Sequence, residues 1–130
     1  MSDVAAPDAP SLLEQGRQQI QQGQAAKAIA TLTAAIGRDP TLAAAYYQRG
    51  NAHFRLRRLA LALADYSRAI ELQPGFADAY NNRSVVRFHQ RDYKAALSDA
   101  SAAVRLSPDD AEPYLNRARA KMELGTLGGA

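Results

Sequence analysis

Residues 43–76 read AAAYYQRGNAHFRLRRLALALADYSRAIELQPGF, and the pattern of this stretch occurs once before it and once after it. Prolines mark the period, because Pro40, Pro74 and Pro108 are each 34 residues from the last. A fixed period of this length indicates a repeat protein, in which one supersecondary unit is stacked several times. Other positions keep the same phase: Ala28, Ala62 and Ala96; Ala35, Ala69 and Ala103; Ile36, Ile70 and Val104; Tyr46, Tyr80 and Tyr114.

Each period is predicted to form a helical hairpin. Two stretches of about a dozen helix-forming residues are separated by a turn, and each proline follows the second stretch, where it ends that helix. Small residues at Gly16, Gly50 and Ser84 allow the two helices to approach closely. The sequence SLLE at Ser11–Glu14 has the pattern of a capping box, which marks a helix start there.

The chain resembles the tetratricopeptide repeat family from Ala9 to Gly125, because the eighth place is small, the twentieth and twenty-seventh are alanine and the thirty-second is proline. The resemblance implies an all-α, right-handed solenoid of three full repeats and one carboxy-terminal helix. The predicted units are repeats at 9–42, 43–76 and 77–110 and a helix at 111–124, with flexible segments at 1–8 and 125–130.

Two departures from the family pattern affect packing. The eleventh place, usually a large aromatic residue, is polar in all four units: Gln19, His53, Arg87 and Lys121. Repeat 1 also has Gly37 and Arg38 where repeat 2 has Glu71 and Leu72, so we expect its packing to be the weakest. The last unit lacks a second helix, and its remaining helix either caps the stack or exposes an apolar stripe.

Composition narrows the class of protein. The 130 residues suit one domain, and the absence of cysteine excludes disulfides, thiolate catalysis and cysteine-based zinc sites. The amino terminus has no apolar core of a signal peptide, and the leucine–alanine run at 59–64 is too short to cross a membrane. A soluble, cytoplasmic protein without membrane contact is expected.

No pattern of catalytic residues is present. The sequence has no phosphate-binding glycine loop and no nucleophile elbow. His53 and His89 occupy different places in their repeats, so they do not form a designed pair. We expect His53 to be packed, His89 to lie at the groove, and the protein to be neither an enzyme nor a carrier of a cofactor.

Charge gives little support for nucleic-acid binding, because the 16 Lys and Arg residues are interleaved with 13 Asp and Glu residues. The sequence RLRR at Arg55–Arg58, with Arg87, Arg91 and Lys94, nevertheless places a basic rim near the turns of repeats 2 and 3. Solvated turn charge is the favoured interpretation of this rim. The alternative is contact with phosphate groups, which would depend on salt.

A second charge pattern predicts ion pairs inside the hairpins. Arg49 and Arg83 are each followed sixteen residues later by an aspartate, Asp65 and Asp99. Repeat 1 lacks both members of the pair. Charges that occur and disappear together indicate a contact between the two helices of a hairpin.

The family resemblance implies a concave groove formed by the first helices, which binds an extended peptide. The predicted peptide-binding residues are Tyr47, Gln48, Asn51, Phe54, Arg55, Asn81, Asn82, Phe88, His89, Asn116 and Arg119, with Asp78, Val85, Glu112, Leu115 and Met122 in or beside the groove. Gln48, Asn82 and Asn116 share one place in their repeats and resemble the asparagine ladder with which some family members hold a peptide backbone. The alternative is a solvated helix face.

Other members of the family clamp the acidic tail of a heat-shock chaperone with Lys or Arg at the second and sixth places of a later repeat. Asp78 and Glu112 occupy the second place here and would repel a carboxylate. The leading hypothesis is therefore a protein interaction module, an adaptor for a peptide of unknown identity. The alternatives are self-association through Tyr114, Leu115, Ala118 and Met122 of the last helix, and a nucleic-acid accessory protein that uses the basic rim.

Overall fold

The computed structural model describes residues 6–127, and this part of the chain contains seven α-helices and no strand. The all-α fold predicted from the period is confirmed. The helices are α1 (Ala9–Gln21), α2 (Ala25–Arg38), α3 (Ala43–Arg55), α4 (Leu59–Leu72), α5 (Ala77–His89), α6 (Tyr93–Leu106) and α7 (Ala111–Leu127).

The helices form three stacked hairpins, α1–α2, α3–α4 and α5–α6, followed by α7. The second helix of each hairpin also packs against the first helix of the next unit. In addition, α1 contacts α3, α3 contacts α5, and α5 contacts α7. The first helices therefore lie side by side along one face of the stack, where they can form a continuous surface.

Both ends of the helical region differ from the prediction. Helix α1 begins two residues before Ser11, because the Asp8 carboxylate accepts a hydrogen bond from the Ser11 amide at 2.9 Å. The expected capping box is therefore wrong, and Glu14 pairs with Arg17 instead. Asp8 is among the strongest amino-terminal capping residues, and the adjacent Pro10 favours the first turn of a helix.

Helix α7 continues past the predicted end at 124 through Leu127, so the expected flexible tail is helical over 125–127. The Thr126 hydroxyl donates a hydrogen bond to the Met122 carbonyl at 3.0 Å. A single glycine, Gly125, weakens a helix without breaking it, because it still supplies the backbone hydrogen bond that proline lacks. Of the predicted flexible segment 1–8, residues 6–8 directly precede α1 and Asp8 caps that helix. Residues 1–5 and 128–130 lie outside the described residues.

The two helices of a hairpin approach each other closely at the eighth place of the repeat. A Cβ atom on Gly16 would lie 2.5 Å from Leu32, and one on Gly50 would lie 2.8 Å from the Tyr66 ring. In the third hairpin Ser84 takes the place of Gly50, and Ala100 takes the place of Tyr66. Compared with the second hairpin, the third therefore has a larger residue in its first helix and a smaller one opposite it in its second helix.

This packing predicts opposite effects for two glycine substitutions. Glycine inside a helix is normally about 1 kcal/mol less favourable than alanine, so Gly37→Ala in α2, with open space around its Cβ, should raise the free energy of unfolding. Gly50→Ala should lower it by about 1–2 kcal/mol, because the Tyr66 ring is 1% exposed and cannot move aside. Urea denaturation followed by circular dichroism measures both changes, and stabilisation by Gly50→Ala would contradict the packing argument.

The predicted ion pairs between the helices of a hairpin are confirmed. Arg49 donates from Nε and Nη2 to the two carboxylate oxygens of Asp65, both at 2.8 Å. Arg83 binds Asp99 in the same way at 2.9 and 2.8 Å. Both aspartates are buried, so the bidentate pairing compensates for the loss of their hydration.

The same arginines also connect neighbouring hairpins. Nη1 of Arg49 donates to the Thr33 hydroxyl of α2, and Nη1 of Arg83 donates to the Ser67 hydroxyl of α4, each at 3.2 Å. Each arginine therefore contacts three helices: its own, the second helix of its hairpin and the second helix of the hairpin before. This connection ties the position of one repeat to that of the next.

In repeats 2 and 3, the polar residue at the eleventh place faces the aspartate of the ion pair in the same repeat. His53 Nε2 lies 3.7 Å from Asp65 Oδ2, and Arg87 Nη1 lies 3.1 Å from Asp99 Oδ2. Burial lowers the pKa of His53, so its imidazole is neutral at neutral pH. His53 is buried, as predicted, and it approaches the aspartate that Arg87 approaches in the next repeat.

A double-mutant cycle tests the energetic value of the buried pair. Arg49→Gln and Asp65→Asn should show a coupling free energy of about 1 kcal/mol or more, because the charges are in contact and poorly hydrated. The exposed pair of Arg17 with Glu14 has the same bidentate geometry and serves as the matched control, with an expected coupling below about 0.5 kcal/mol. Equal coupling in both cycles would show that burial of the Arg49 pair contributes nothing.

Candidate functional site

The first helices enclose a cleft of about 450 Å³ on their common face. Most of its lining is polar, and it receives residues from α1, α3, α4, α5 and α7. The lining residues are Arg17, Ile20, Gln21, Gln48, Asn51, Phe54, Arg55, Tyr66, Asn82, Val85 and Glu112. Five of the predicted peptide-binding residues are thus brought together here.

A second cleft of about 290 Å³ lies between α5 and α7, and Val85 lines both clefts. The two clefts therefore adjoin along the same face, and together we call them the groove. The second cleft is lined by Ser84, Val85, Phe88, His89, Asn116, Arg119, Met122 and Glu123. It contains four further residues of the predicted set.

Two predicted residues, Tyr47 and Asn81, line neither cleft. The centre of the Tyr47 ring lies 4.8 Å from the centre of the Phe76 ring, and Asn81 is buried. Asn82 Nδ2 donates to the Tyr47 hydroxyl at 3.1 Å, and Asn116 Nδ2 donates to Asn81 Oδ1 at 2.8 Å. Tyr47 and Asn81 therefore position the asparagine of the next repeat.

A chain of hydrogen bonds fixes the polar floor of the larger cleft. Asn51 Oδ1 accepts from the Tyr66 hydroxyl and from Asn82 Nδ2, and Asn51 Nδ2 donates to Gln48 Oε1. Burial raises the pKa of both Tyr47 and Tyr66, so both hydroxyls remain protonated, and that of Tyr66 can donate to Asn51. The side chains joined by these hydrogen bonds are held in place before any ligand binds.

The hydrogen bonds define what the three phased amides can still offer a ligand. The NH₂ groups of Asn82 and Asn116 donate internally, and within residues 6–127 their carbonyl oxygens accept no hydrogen bond. Gln48 has the opposite arrangement, because its oxygen accepts from Asn51 and its NH₂ group is unused by the described residues. The amide ladder stays a prediction, in which the carbonyl oxygens of Asn82 and Asn116, one N–H of Asn116 and the NH₂ group of Gln48 are available to a ligand.

Sequence reasoning missed four residues of the larger cleft. Arg17, Ile20 and Gln21 of α1 occupy the same places in repeat 1 as Asn51, Phe54 and Arg55 in repeat 2, so the period itself could have identified them. Tyr66 comes from a second helix and carried no such signal. Because Gly50 has no side chain, the Tyr66 ring lies against α3 and its hydroxyl reaches Asn51.

Residues 6–127 contain no cluster of three or more His, Asp and Glu side chains arranged to bind a metal ion. None of the helices among these residues combines the length and the apolar character needed to cross a membrane.

The stacked hairpins define an α-solenoid built from one repeated unit. Two family models match the chain, "Tetratricopeptide repeat" over residues 43–76 and "TPR repeat" over residues 16–56. Residues 16–76 therefore contain tetratricopeptide repeats. A search among curated proteins found no sequence match.

Solved structures agree with this assignment. The first TPR domain of Spaghetti (RPAP3), bound to the HSP90 peptide SRMEEVD, is 27% identical, with a TM-score of 0.88 over 90% of this chain and 93% of that chain. The first TPR domain of the human RPAP3 protein is 26% identical, with a TM-score of 0.88 over 94% and 96% of the two chains. MamA is 26% identical, with a TM-score of 0.85 over 90% of this chain and 68% of MamA.

Proposed function

We propose that the protein is an interaction module that binds an extended peptide segment of a partner protein in the groove and acts as an adaptor. The observation that carries the proposal is the groove itself, in which two adjoining clefts are lined by amides already fixed by internal hydrogen bonds. Fixed polar groups bind with a smaller loss of conformational entropy than mobile ones.

The comparison with the first TPR domain of Spaghetti supports a peptide as the ligand. That domain has nearly the same length and helical arrangement and is bound to an acidic peptide. The proposed ligand here differs in how it is anchored. Asp78 and Glu112 are exposed at the first turns of α5 and α7, and their charge would repel a terminal carboxylate at that side of the groove.

The amides are suited to reading a peptide backbone. Neighbouring first helices lie roughly 10 Å apart and an extended peptide advances about 3.3 Å per residue, so successive amides would meet every third residue. Asn82 and Asn116 would accept peptide N–H groups, and Gln48 would donate to a peptide carbonyl. Selection among sequences would then depend on Phe54, Arg55, Phe88, His89 and Arg119, which line the clefts beside the amides.

Two unrelated peptides, selected from a random library for binding to the protein, test this division of roles. Asn82→Ala with Asn116→Ala should raise the Kd of both peptides by a similar factor of about ten or more, because each loses backbone hydrogen bonds. Arg55→Ala or Phe88→Ala should change the ratio of the two Kd values. Isothermal titration calorimetry measures all of them.

The control is Tyr46→Phe, which removes an internal hydrogen bond to the Pro40 carbonyl and no group that lines the groove or contacts its amides. Its Kd values should stay close to those of the wild type. Unchanged affinity of both peptides for the double asparagine variant would contradict backbone reading by the amides.

Self-association is the second candidate function, because α7 exposes a row of apolar side chains. Leu115 is 52% exposed and Met122 is 71% exposed, while Tyr114 and Ala118 on the same helix are also exposed. Light scattering over a range of concentrations should show dimers that Leu115→Glu dissociates. A monomer at all concentrations would exclude this candidate and indicate that α7 caps the stack.

A further inference from the structure

The turn inside each hairpin contains one residue with positive φ at the same place of the repeat. These residues are Gly23 with φ of 77°, Arg57 with φ of 60° and Arg91 with φ of 63°. Residues with a Cβ atom disfavour this region, because the Cβ approaches a backbone carbonyl oxygen. Glycine satisfies the turn in the first hairpin, so the arginines of the second and third hairpins are not required by the backbone.

Further cations surround these two turns. Arg58 is the residue that precedes the first turn of α4, and Lys94 lies in the first turn of α6. Cations are unfavourable at helix amino termini, because the helix dipole is positive there. We call the exposed group the basic edge; its members are Arg55, Arg57, Arg58, Arg91 and Lys94.

The charge of the basic edge is not neutralised inside the molecule. None of its five members forms a salt bridge within residues 6–127, whereas Arg49, Arg83 and Arg87 all pair with buried aspartates. The nearest acidic residue along the chain, Asp92, accepts a hydrogen bond from the Ala95 amide at the start of α6 and offsets at most one of the five positive charges. The corresponding turn of the first hairpin, residues 22–24, carries no charge.

The basic edge is continuous with the groove. The Arg57 guanidinium lies 5.7 Å from the centre of the Phe54 ring, and Phe54 and Arg55 both line the larger cleft. Asp78 and Glu112 lie at the opposite ends of the first helices. Within the larger cleft, the charged lining therefore changes from Glu112 at one end to Arg55 at the end near the hairpin turns.

We infer that the basic edge binds a run of acidic residues in the partner protein whose neighbouring segment occupies the groove. This inference rests on the proposed function and adds the chemical class of its ligand. Arginines at positions that favour glycine, and cations at helix amino termini, are explained if carboxylates of the partner compensate them. A polypeptide suits the edge better than a nucleic acid, because Arg55 of the edge also lines the larger cleft, where the fixed amides can bind a peptide backbone.

The test uses two double variants. The first, called the glycine pair, carries Arg57→Gly and Arg91→Gly. The second, called the glutamine pair, carries Arg38→Gln and Arg105→Gln and is the control that removes the same number of charges. Arg38 and Arg105 are exposed near the carboxy-terminal ends of α2 and α6, at the opposite edge of the stack. The probe is a fluorescent oligoglutamate of about eight residues, which spans roughly 26 Å when extended. An oligoglutamine of equal length is the neutral comparison.

We expect the wild type to bind oligoglutamate more weakly as salt rises and to bind oligoglutamine far less well. The glycine pair should weaken oligoglutamate binding about tenfold, while the glutamine pair should change it less than about twofold. The melting temperature of the glycine pair should not fall, because glycine relieves the positive φ of both turns. Weakened binding at an unchanged or higher melting temperature cannot result from unfolding.

Several results would overturn the inference: no binding of oligoglutamate at low salt, equal binding of oligoglutamine, or wild-type affinity in the glycine pair. Tighter binding of an oligonucleotide than of oligoglutamate at physiological salt, lost in the glycine pair, would assign the edge to nucleic acid instead. Library peptides without acidic residues separate the two proposals. If these peptides bind the glycine pair normally and oligoglutamate binding is not weakened, only the inference about the basic edge is wrong. If no library peptide binds the groove, the proposed function is wrong.

Discussion

The contact of Tyr66 with the backbone of α3 at Gly50 determines much of this structure. The absence of a side chain at Gly50 lets the ring lie against the helix, and the same is true of Leu32 at Gly16. This approach sets the distance between the helices of a hairpin. It also brings the Tyr66 hydroxyl to Asn51, so one packing constraint shapes both the core and the floor of the groove.

Two sets of polar contacts then fix each hairpin against the next. On one side of the first helices, Arg49 and Arg83 reach hydroxyl groups of the preceding hairpin. On the other side, Asn82 and Asn116 donate to residues of the preceding first helix. Repeat proteins are stabilised by contacts between nearest neighbours, and here those contacts include hydrogen bonds that depend on orientation. The groove is therefore held in one shape along repeats 2 and 3.

The sequence predicts the features that repeat and misses those that do not. The 34-residue period identifies the hairpins, and the spacing of Arg49 and Asp65 identifies their ion pair, because both are properties of a recurring pattern. The period does not reveal that the NH₂ groups of Asn82 and Asn116 donate hydrogen bonds to the preceding repeat. An amide on a helix can face water or a neighbouring helix equally well. Single events, such as the Asp8 cap and the continuation of α7 through Gly125, depend on local competition between residues.

The first hairpin differs from the other two in its polar contacts, and this difference affects the groove. Within the described residues it has no buried Arg–Asp pair, and it packs against one neighbouring unit, whereas each of the other two hairpins packs against two. Local opening costs least where such contacts are fewest. Because Arg17, Ile20 and Gln21 of this hairpin form one wall of the larger cleft, its folding and the occupancy of that cleft are linked equilibria. A peptide that contacts this wall would protect the amides of α1 and α2 from hydrogen exchange more than those of the inner helices.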